Sequence, residues 1–450
     1  MLYIKFTPYF AIVKKVSEFW KCNKCLNKIG IIPNKYSLLT LEYSWIYFFM
    51  RKVDAILAEL LIENENKILL WVLDGVGGVE RDRKTELEEA KTPNLDALAE
   101  KSSLGLIDPV ASGITPGSGP AHLALFGYDP IEHNIGRGVL EALGVDMELK
   151  PGDVAVRGNF CTIKDGVVVD RRAGRIPTEE NIRICKMLSE EIKEIEDVKI
   201  IIKPGKEHRF VVVFRGEGLV AAVTESDPQK EGKPPAVIKP LKEDAGKLAR
   251  IANRFILEVQ ERIGKEERAN GILLRGFASL PSLTPFPLKY KIRAAGIATY
   301  PMYKGIARLV GMDVLKTGTS WEEEIETLKN HFLEYDFFYL HFKEIDKAGE
   351  DKNFEEKVKF IEKADKFVPE ILKMGFSVIA ITGDHSTPSV LGAHSWHPNP
   401  FLLYAPTARR EGIGGFSEKR CAKGLLGRMN SLDVMPLLLA HAGRLKKFGA

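Results

Sequence analysis

Three short apolar runs that lead into acids constrain this chain more than any other feature. Residues 67–73 (KILLWVL) run into Asp74-Gly75, residues 337–342 stand ahead of Asp346, and residues 376–382 (FSVIAIT) run into Gly383, Asp384 and His385. Continuous apolar stretches of this length fit parallel strands buried on both faces. In open α/β sheets ligands bind beyond the carboxyl ends of the strands, so polar residues from distant parts of the chain converge there. Helical patterns at residues 93–101 and 354–373 lie between the runs and complete an alternation of β and α. The expected fold class is α/β, a mostly parallel sheet flanked by helices.

The 450 residues suffice for two or three domains with a large core, and 45% hydrophobic with 28% charged residues excludes a disordered or collagen-like chain. Five cysteines at irregular spacing argue against a disulfide framework and for a reducing compartment, the cytoplasm. The net charge of +4 divides unevenly. Residues 1–49 hold seven lysines and no arginine against Glu18 and Glu42, a net of +5, which leaves about −1 for the rest. The body of the chain has no basic stripe with interleaved aromatics, so nucleic acid is not an expected partner. Residues 1–49 also carry 12 aromatics, and read as an atypical extension with Met50 as an alternative start. Their longest apolar stretch falls well short of the ~20 residues of a membrane helix, so no membrane partner is expected either. Cys22 and Cys25 form one C-x-x-C, but no second ligand pair completes a zinc knuckle.

Residues 151–298 read as an insertion forming a second, smaller domain, which divides the remainder into a core of residues 50–150 and 299–450. The insertion opens at Lys150-Pro151-Gly152-Asp153 and carries a proline-rich crossing near residues 233–240. Its arginines cluster at Arg157, then Arg171, Arg172 and Arg175, with Arg275 further on. Such a cluster is either a solvated loop or a clamp for carboxylate and phosphate, since the guanidinium fork matches those groups bidentately. Before the insertion, TPGSGPAHLALFGYDP at residues 115–130 places Ser118 between two glycines at a helix start. That turn suits either a phosphate at a helix N-terminus or a plain capping serine. It is neither a Walker A loop nor a G-x-S-x-G elbow.

Asp384-His385 with His394 nine residues later supplies oxygen and nitrogen ligands of the kind Mn²⁺ or Zn²⁺ accepts, with His397 a weaker addition. Asp74, Asp346 and Glu350 bring the set to enough ligands for two ions. A serine hydroxyl needs a base or a metal to become a nucleophile, and two ions could hold the attacking oxygen and a phosphoryl oxygen together.

At this point the sequence resembles the archaeal-type 2,3-bisphosphoglycerate-independent phosphoglycerate mutases of the alkaline phosphatase superfamily. The resemblance covers nearly all of residues 66–450. It is carried by LDGVGG at 73–78, KTPNLDALA at 91–99, the Ser118 segment, GRGVLEALG at 136–144, RGNFCT at 157–162, DRRAGRI at 170–176 and GDHSTP at 383–388. It implies an alkaline-phosphatase-like core with an inserted α/β lid. Asp74, Ser118, Asp384 and His385 would hold one divalent ion, and Asp346, Glu350 and His394 the other. Ser118 would be the nucleophile, and Arg157, Arg171, Arg172, Arg175, Arg275 and Lys304 would bind substrate. Glu350 departs from the wider superfamily, where a histidine commonly stands. Gly119-Pro120 replaces the Asp-Thr of some archaeal members.

The implied reaction interconverts 2- and 3-phosphoglycerate in glycolysis and gluconeogenesis through phosphoserine, with two Mn²⁺ (or Mg²⁺, Zn²⁺ or Co²⁺) and without 2,3-bisphosphoglycerate. The same residues also fit a metal-dependent phosphatase, or a phosphotransferase acting on another small alcohol such as homoserine. A non-catalytic scaffold would need a decayed site, and Glu350 is the one departure in the ligand set. The sequence makes no statement about oligomeric state.

Overall fold

The computed structural model describes residues 52–133, 135–410, 412 and 414–449. The extension of residues 1–49, the Cys22–Cys25 pair and the alternative start at Met50 therefore lie outside the described residues. The chain divides into two units, residues 1–60 and 61–450. In the first, the described part is the helix Lys52–Leu60, with Asp54 in its first turn, where negative charge complements the helix dipole.

Two sheets make up the second unit. Strands β1 (Ile68–Leu73) and β2 (Ser103–Asp108) are followed by six strands of the other sheet: β3 (Val154–Lys164), β4 (Val167–Asp170), β5 (Glu194–Ile195), β6 (Val198–Pro204), β7 (Arg209–Arg215) and β8 (Gly271–Ser279). The chain then returns to the first sheet with β9 (Ala294–Ala298), β10 (Asp313–Val314), β11 (Phe337–Phe342), β12 (Val378–Thr382), β13 (Asn399–Tyr404) and β14 (Gly427–Asn430).

The first sheet has the order β10-β9-β11-β1-β12-β13-β2-β14, and only β13 runs antiparallel to its neighbours. This is the expected α/β class with a mostly parallel sheet. Every residue of β1, β11 and β12 is buried, which explains why these strands read as unbroken apolar runs rather than alternating ones. One face packs aromatics around Phe342, which stacks on Trp321 at 4.2 Å and meets Trp71 edge-on at 5.3 Å. Burying side chains of this size contributes roughly 1.5–3 kcal/mol each.

The second sheet is antiparallel throughout, ordered β4-β3-β7-β6-β5 with β8 on β3. The helices Thr178–Glu191 and Gly246–Ile263 bury Ile184, Leu188, Ile251 and Phe255 with residues of this sheet in a core of their own. The sequence boundary at residue 298 is corrected here. The second sheet ends at Ser279, and Ala294–Ala298 is β9 of the first sheet, paired in parallel with β11. Its AAGIA composition carries little apolar bulk, so the strand is weakly marked in the sequence.

The helix Arg137–Gly144 reaches both sheets' territories. A Cβ at Gly138 would fall 2.3 Å from the carbonyl oxygen of Ala155 in β3, so only glycine permits this approach. At its other end, Gly144 and Gly305 let the helix lie against Pro301–Leu309 of the first-sheet region.

Candidate active site

Because β11, β1 and β12 are parallel neighbours, their carboxyl ends open on one edge. Asp74 follows β1, and Asp384 and His385 follow β12. Asp346 and Glu350 lie on the helix Glu344–Glu350 that starts after β11. Gly75 takes φ +66°, and a Cβ there would lie 2.8 Å from the Cα and Cβ of Asp346, so the loops carrying the two acids touch through glycine. From behind, the buried Lys357 ammonium donates to the carbonyls of Gly77 (3.1 Å) and Thr387 (2.9 Å), tying the two ligand-bearing loops together.

Of the sequence-derived ligands, Asp74, Asp346, Asp384, His385 and His394 come together with Ser118, His385 at their centre, while Glu350 lies at the margin, 3.7 Å from His394 with 52% of its side chain exposed. His385 Nε2 lies 3.1 Å from Ser118 Oγ, 3.2 Å from Asp384 Oδ2 and 3.4 Å from Asp74 Oδ1. Ser118 is the first residue of the helix Ser118–Leu125. The Thr387 hydroxyl donates to Asp346 Oδ1 at 2.5 Å, so the same hydroxyl oxygen accepts from His385 Nδ1 at 2.9 Å. That pattern assigns the tautomer and turns the Nε2 lone pair towards Ser118, Asp74 and Asp384.

His394 is arranged in the same way. Its Nδ1 donates to the Pro116 carbonyl at 3.0 Å, and its Nε2 faces Asp346 Oδ1 at 3.8 Å and Glu350 Oε1 at 3.7 Å. The two imidazoles stack with centroids 3.6 Å apart. Such oxygen partners on the far nitrogen are what orient metal-ligating histidines.

Two groups of ligand atoms result, one of Asp74, Asp384 and His385, the other of Asp346, His385 and His394, each within 4.8 Å. Within the first, Asp74 Oδ1 and Asp384 Oδ2 are buried with no hydrogen-bond partner among the described residues. A bare buried carboxylate oxygen is unfavourable unless a cation meets it, and the carboxylate and imidazole set matches Mn²⁺ or Zn²⁺. The donors present therefore fit divalent ions.

Several contributors escaped the sequence reading. Asp74 Oδ2 accepts from the Tyr303 hydroxyl and from His341 Nε2 at 3.1 Å, and pairs with the Lys343 ammonium at 3.2 Å. Tyr303 also lies 3.5 Å from Ser118 Oγ. His122 Nδ1 meets the Ser118 carbonyl at 2.8 Å and Asp384 Oδ2 at 3.3 Å. His341 had one signal, a polar residue inside the otherwise apolar FFYLHF; Tyr303 had none beyond its neighbour Lys304. His397 stacks on Trp396 and bonds to Ser395, outside both groups.

Burial pushes Asp384 well above the usual carboxylate range, and the adjacent Asp74 carboxylate adds to it. Burial also opposes the charge on Asp74, but Lys343 and the His341 hydrogen bond outweigh it and hold Asp74 well below that range. Desolvation lowers His385 strongly and His122 to about 3, which keeps both imidazoles neutral.

The arginines of the second sheet are largely answered from within. Arg171 makes a bidentate pair with Asp227 (2.9 and 2.7 Å), and Arg275 reaches the same carboxylate at 3.3 Å. Arg157 is buried against Asn159 (3.1 Å) and Glu141 of the bridging helix (3.2 Å). Burial, with Arg137, Arg209 and Arg275 nearby, lowers it to about 10 despite Glu141. Arg209 Nε is buried without a partner among the described residues. Arg172 and Arg175 are exposed, and Lys304 is half-buried with its charge near Glu324.

The fold and site define a class, a mostly parallel α/β sheet whose carboxyl edge sets a serine beside two groups of acid and imidazole side chains. The family model described as 2,3-bisphosphoglycerate-independent phosphoglycerate mutase matches residues 99–269. A probable 2,3-bisphosphoglycerate-independent phosphoglycerate mutase of Thermotoga neapolitana is 53% identical over 393 residues, covering 87% of this chain and 98% of that protein. Among solved structures, the PH0037 protein from Pyrococcus horikoshii has a TM-score of 0.74 at 32% identity, over 86% of this chain and 100% of its own. A cofactor-independent phosphoglycerate mutase from Thermoplasma acidophilum has a TM-score of 0.67 at 31% identity, over 84% and 100%. The chain belongs to the 2,3-bisphosphoglycerate-independent phosphoglycerate mutase family.

Proposed function

We propose that this enzyme interconverts 3-phosphoglycerate and 2-phosphoglycerate through a phosphoserine on Ser118, serving glycolysis and gluconeogenesis in the cytoplasm. Among the described residues no helix is long and apolar enough to cross a membrane. The observation that carries the reading is Ser118 Oγ at 3.1 Å from His385 Nε2, beside the bare oxygens of Asp74 and Asp384.

Asp74, Asp384, His385 and Ser118 would hold one divalent ion, and Asp346, Glu350 and His394 the other, with Mn²⁺ favoured by this mixture of oxygen and nitrogen donors. Bound there, the ions supply positive charge that favours the serine alkoxide and offsets the charge of phosphoryl transfer. The chain's residues do the rest. Ser118 Oγ attacks phosphorus, the bond from phosphorus to the glycerate oxygen breaks, and the serine's proton ends on that oxygen. Arg157, with Arg137 and Arg209 around it, holds the glycerate carboxylate while the molecule turns and presents its other hydroxyl. That hydroxyl attacks phosphoserine and regenerates Ser118. Arg171 and Arg275, paired with Asp227, would stiffen this wall, and Arg172, Arg175 and Lys304 would add cationic contacts to the substrate. The second sheet acts as a lid that keeps water from hydrolysing phosphoserine.

The test supplies the full-length protein with Mn²⁺ and 3-phosphoglycerate, follows 2-phosphoglycerate through enolase, and measures free phosphate in parallel. Isomerisation without added 2,3-bisphosphoglycerate, reduced at least ~10³-fold in Ser118→Ala, is expected. Free phosphate without isomerisation would replace the reading with a phosphatase, and activity surviving in Ser118→Ala would remove the phosphoserine.

A further inference from the structure

Asp74 and Asp346 divide their oxygens in the same way. Asp74 turns Oδ2 to Lys343 Nζ at 3.2 Å, and Asp346 turns its own Oδ2 to the same ammonium. Their Oδ1 atoms face imidazoles instead, Asp74 Oδ1 at 3.4 Å from His385 Nε2 and Asp346 Oδ1 at 3.8 Å from His394 Nε2. Lys343 follows β11 directly and precedes the helix that carries Asp346, so its backbone is held between two regular elements. Its side chain is 17% exposed. One cation of the chain is thus shared by an acid from each ligand group.

We infer that Lys343 is a positioning residue and built-in counter-ion of the paired ligand groups: it braces Asp74 against Asp346 in the ion-free protein and weakens the grip of both groups on divalent ions. The inference rests on the two-ion reading above. Two effects oppose each other. Bracing favours ion binding only slightly, by removing rotamer freedom from short carboxylates. The ammonium disfavours it more strongly, by repelling a doubly charged ion across the width of one carboxyl group in a site of low effective dielectric. Repulsion prevails, so the sign of the effect on affinity is opposite to that of a merely structural lysine. The extra acid Glu350 acts in the other direction, 3.7 Å from His394, and restores attraction.

The experiment compares metal-stripped, full-length wild type, Lys343→Met and Lys343→Arg by calorimetric titration with Mn²⁺ and by thermal melting without ions. Lys343→Met is expected to bind Mn²⁺ at least ~10-fold more tightly and to melt several degrees lower when ion-free, while Lys343→Arg stays within about threefold of wild type. Unchanged or weaker binding in Lys343→Met overturns the inference. Should that variant not survive stripping, Lys343→Gln purified with Mn²⁺ is mixed with a chelator and release is followed by electron paramagnetic resonance. At least ~10-fold slower release than wild type is expected, and equal or faster release refutes the counter-ion role. A wild type that takes up no Mn²⁺ would instead remove the two-ion reading itself.

Discussion

The carboxyl edge of the first sheet and the guanidinium cluster of the second both bury charge, and they balance it in opposite ways. At the edge of β1 and β12, Asp74 Oδ1 and Asp384 Oδ2 accept no hydrogen bond among the described residues, and the imidazole of His385 beside them is held neutral. In the second sheet Asp227 accepts from Arg171 and lies 3.3 Å from Arg275, and Glu141 meets Arg157, so the main charges have counter-charges within the chain. Bare buried oxygens call for a cation from outside, whereas paired guanidiniums are stable alone and can exchange a partner for a passing anion. The first arrangement suits a resident ion, the second a substrate that must come and go.

Paired substitutions put that contrast at risk most directly. Asp384→Asn should lower kcat on the order of 10³-fold, the loss typical when one charge-stabilising group leaves a transition-state site. Arg157→Met should lower kcat/KM about 10- to 100-fold, mainly through KM, as for one charged hydrogen bond to substrate. Steady-state kinetics separates the two, and equal losses in kcat would mean that Arg157 belongs to the chemistry and not to holding. A smaller effect is expected for Asp227→Asn, which leaves two guanidiniums without their shared partner. Because those side chains are 25% and 29% exposed, the loss of stability should be about 2 kcal/mol, below the ~3–5 of a fully buried pair, and a denaturant midpoint measures it. No change would show the cluster to be as solvated as an ordinary surface.

The smallest effect sharpens the contrast from a third place. Glu324 is a buried acid with no ion pair among the described residues, and burial, with Glu344 beside it, pushes it up to about 9 from 4.5. The folded protein then keeps a proton that the unfolded chain has released, so this group's contribution to stability falls as pH rises from about 4.5 towards about 9. Glu324→Gln should flatten that slope and raise the melting temperature by a few degrees at pH 8, with the difference closing near pH 5. A difference that does not vary with pH would mean that Glu324 is charged in the fold.

Much of the site was legible because it sits where local pattern and fold topology coincide. Unbroken apolar runs identified β1, β11 and β12, and parallel neighbours must open their carboxyl ends on one edge, which gathers Asp74, Asp346 and Asp384. The glycines around Ser118 marked a helix start, and Ser118 is the first residue of its helix. Less legible was β9, whose small residues resemble a loop until β11 is laid beside them. The arginines were visible as a cluster, but Asp227 sits 56 residues from Arg171 in sequence, and no spacing announces their pairing.

By itself, then, the sequence determined the fold class, the sheet edge at which the acids and imidazoles gather, and the residue types that meet there, since periodicity and strand ends are local properties. Only the tertiary structure decided which oxygen of each acid faces inward, which imidazole nitrogen carries the proton, and which of Tyr303, His341, Lys343 and Thr387 answers the atoms left over. Those choices depend on hydrogen bonds and charges between residues as far apart as Asp74 and His341, 267 positions along the chain. Such contacts have directions and distances of a few ångströms, and a sequence specifies them only once it has folded.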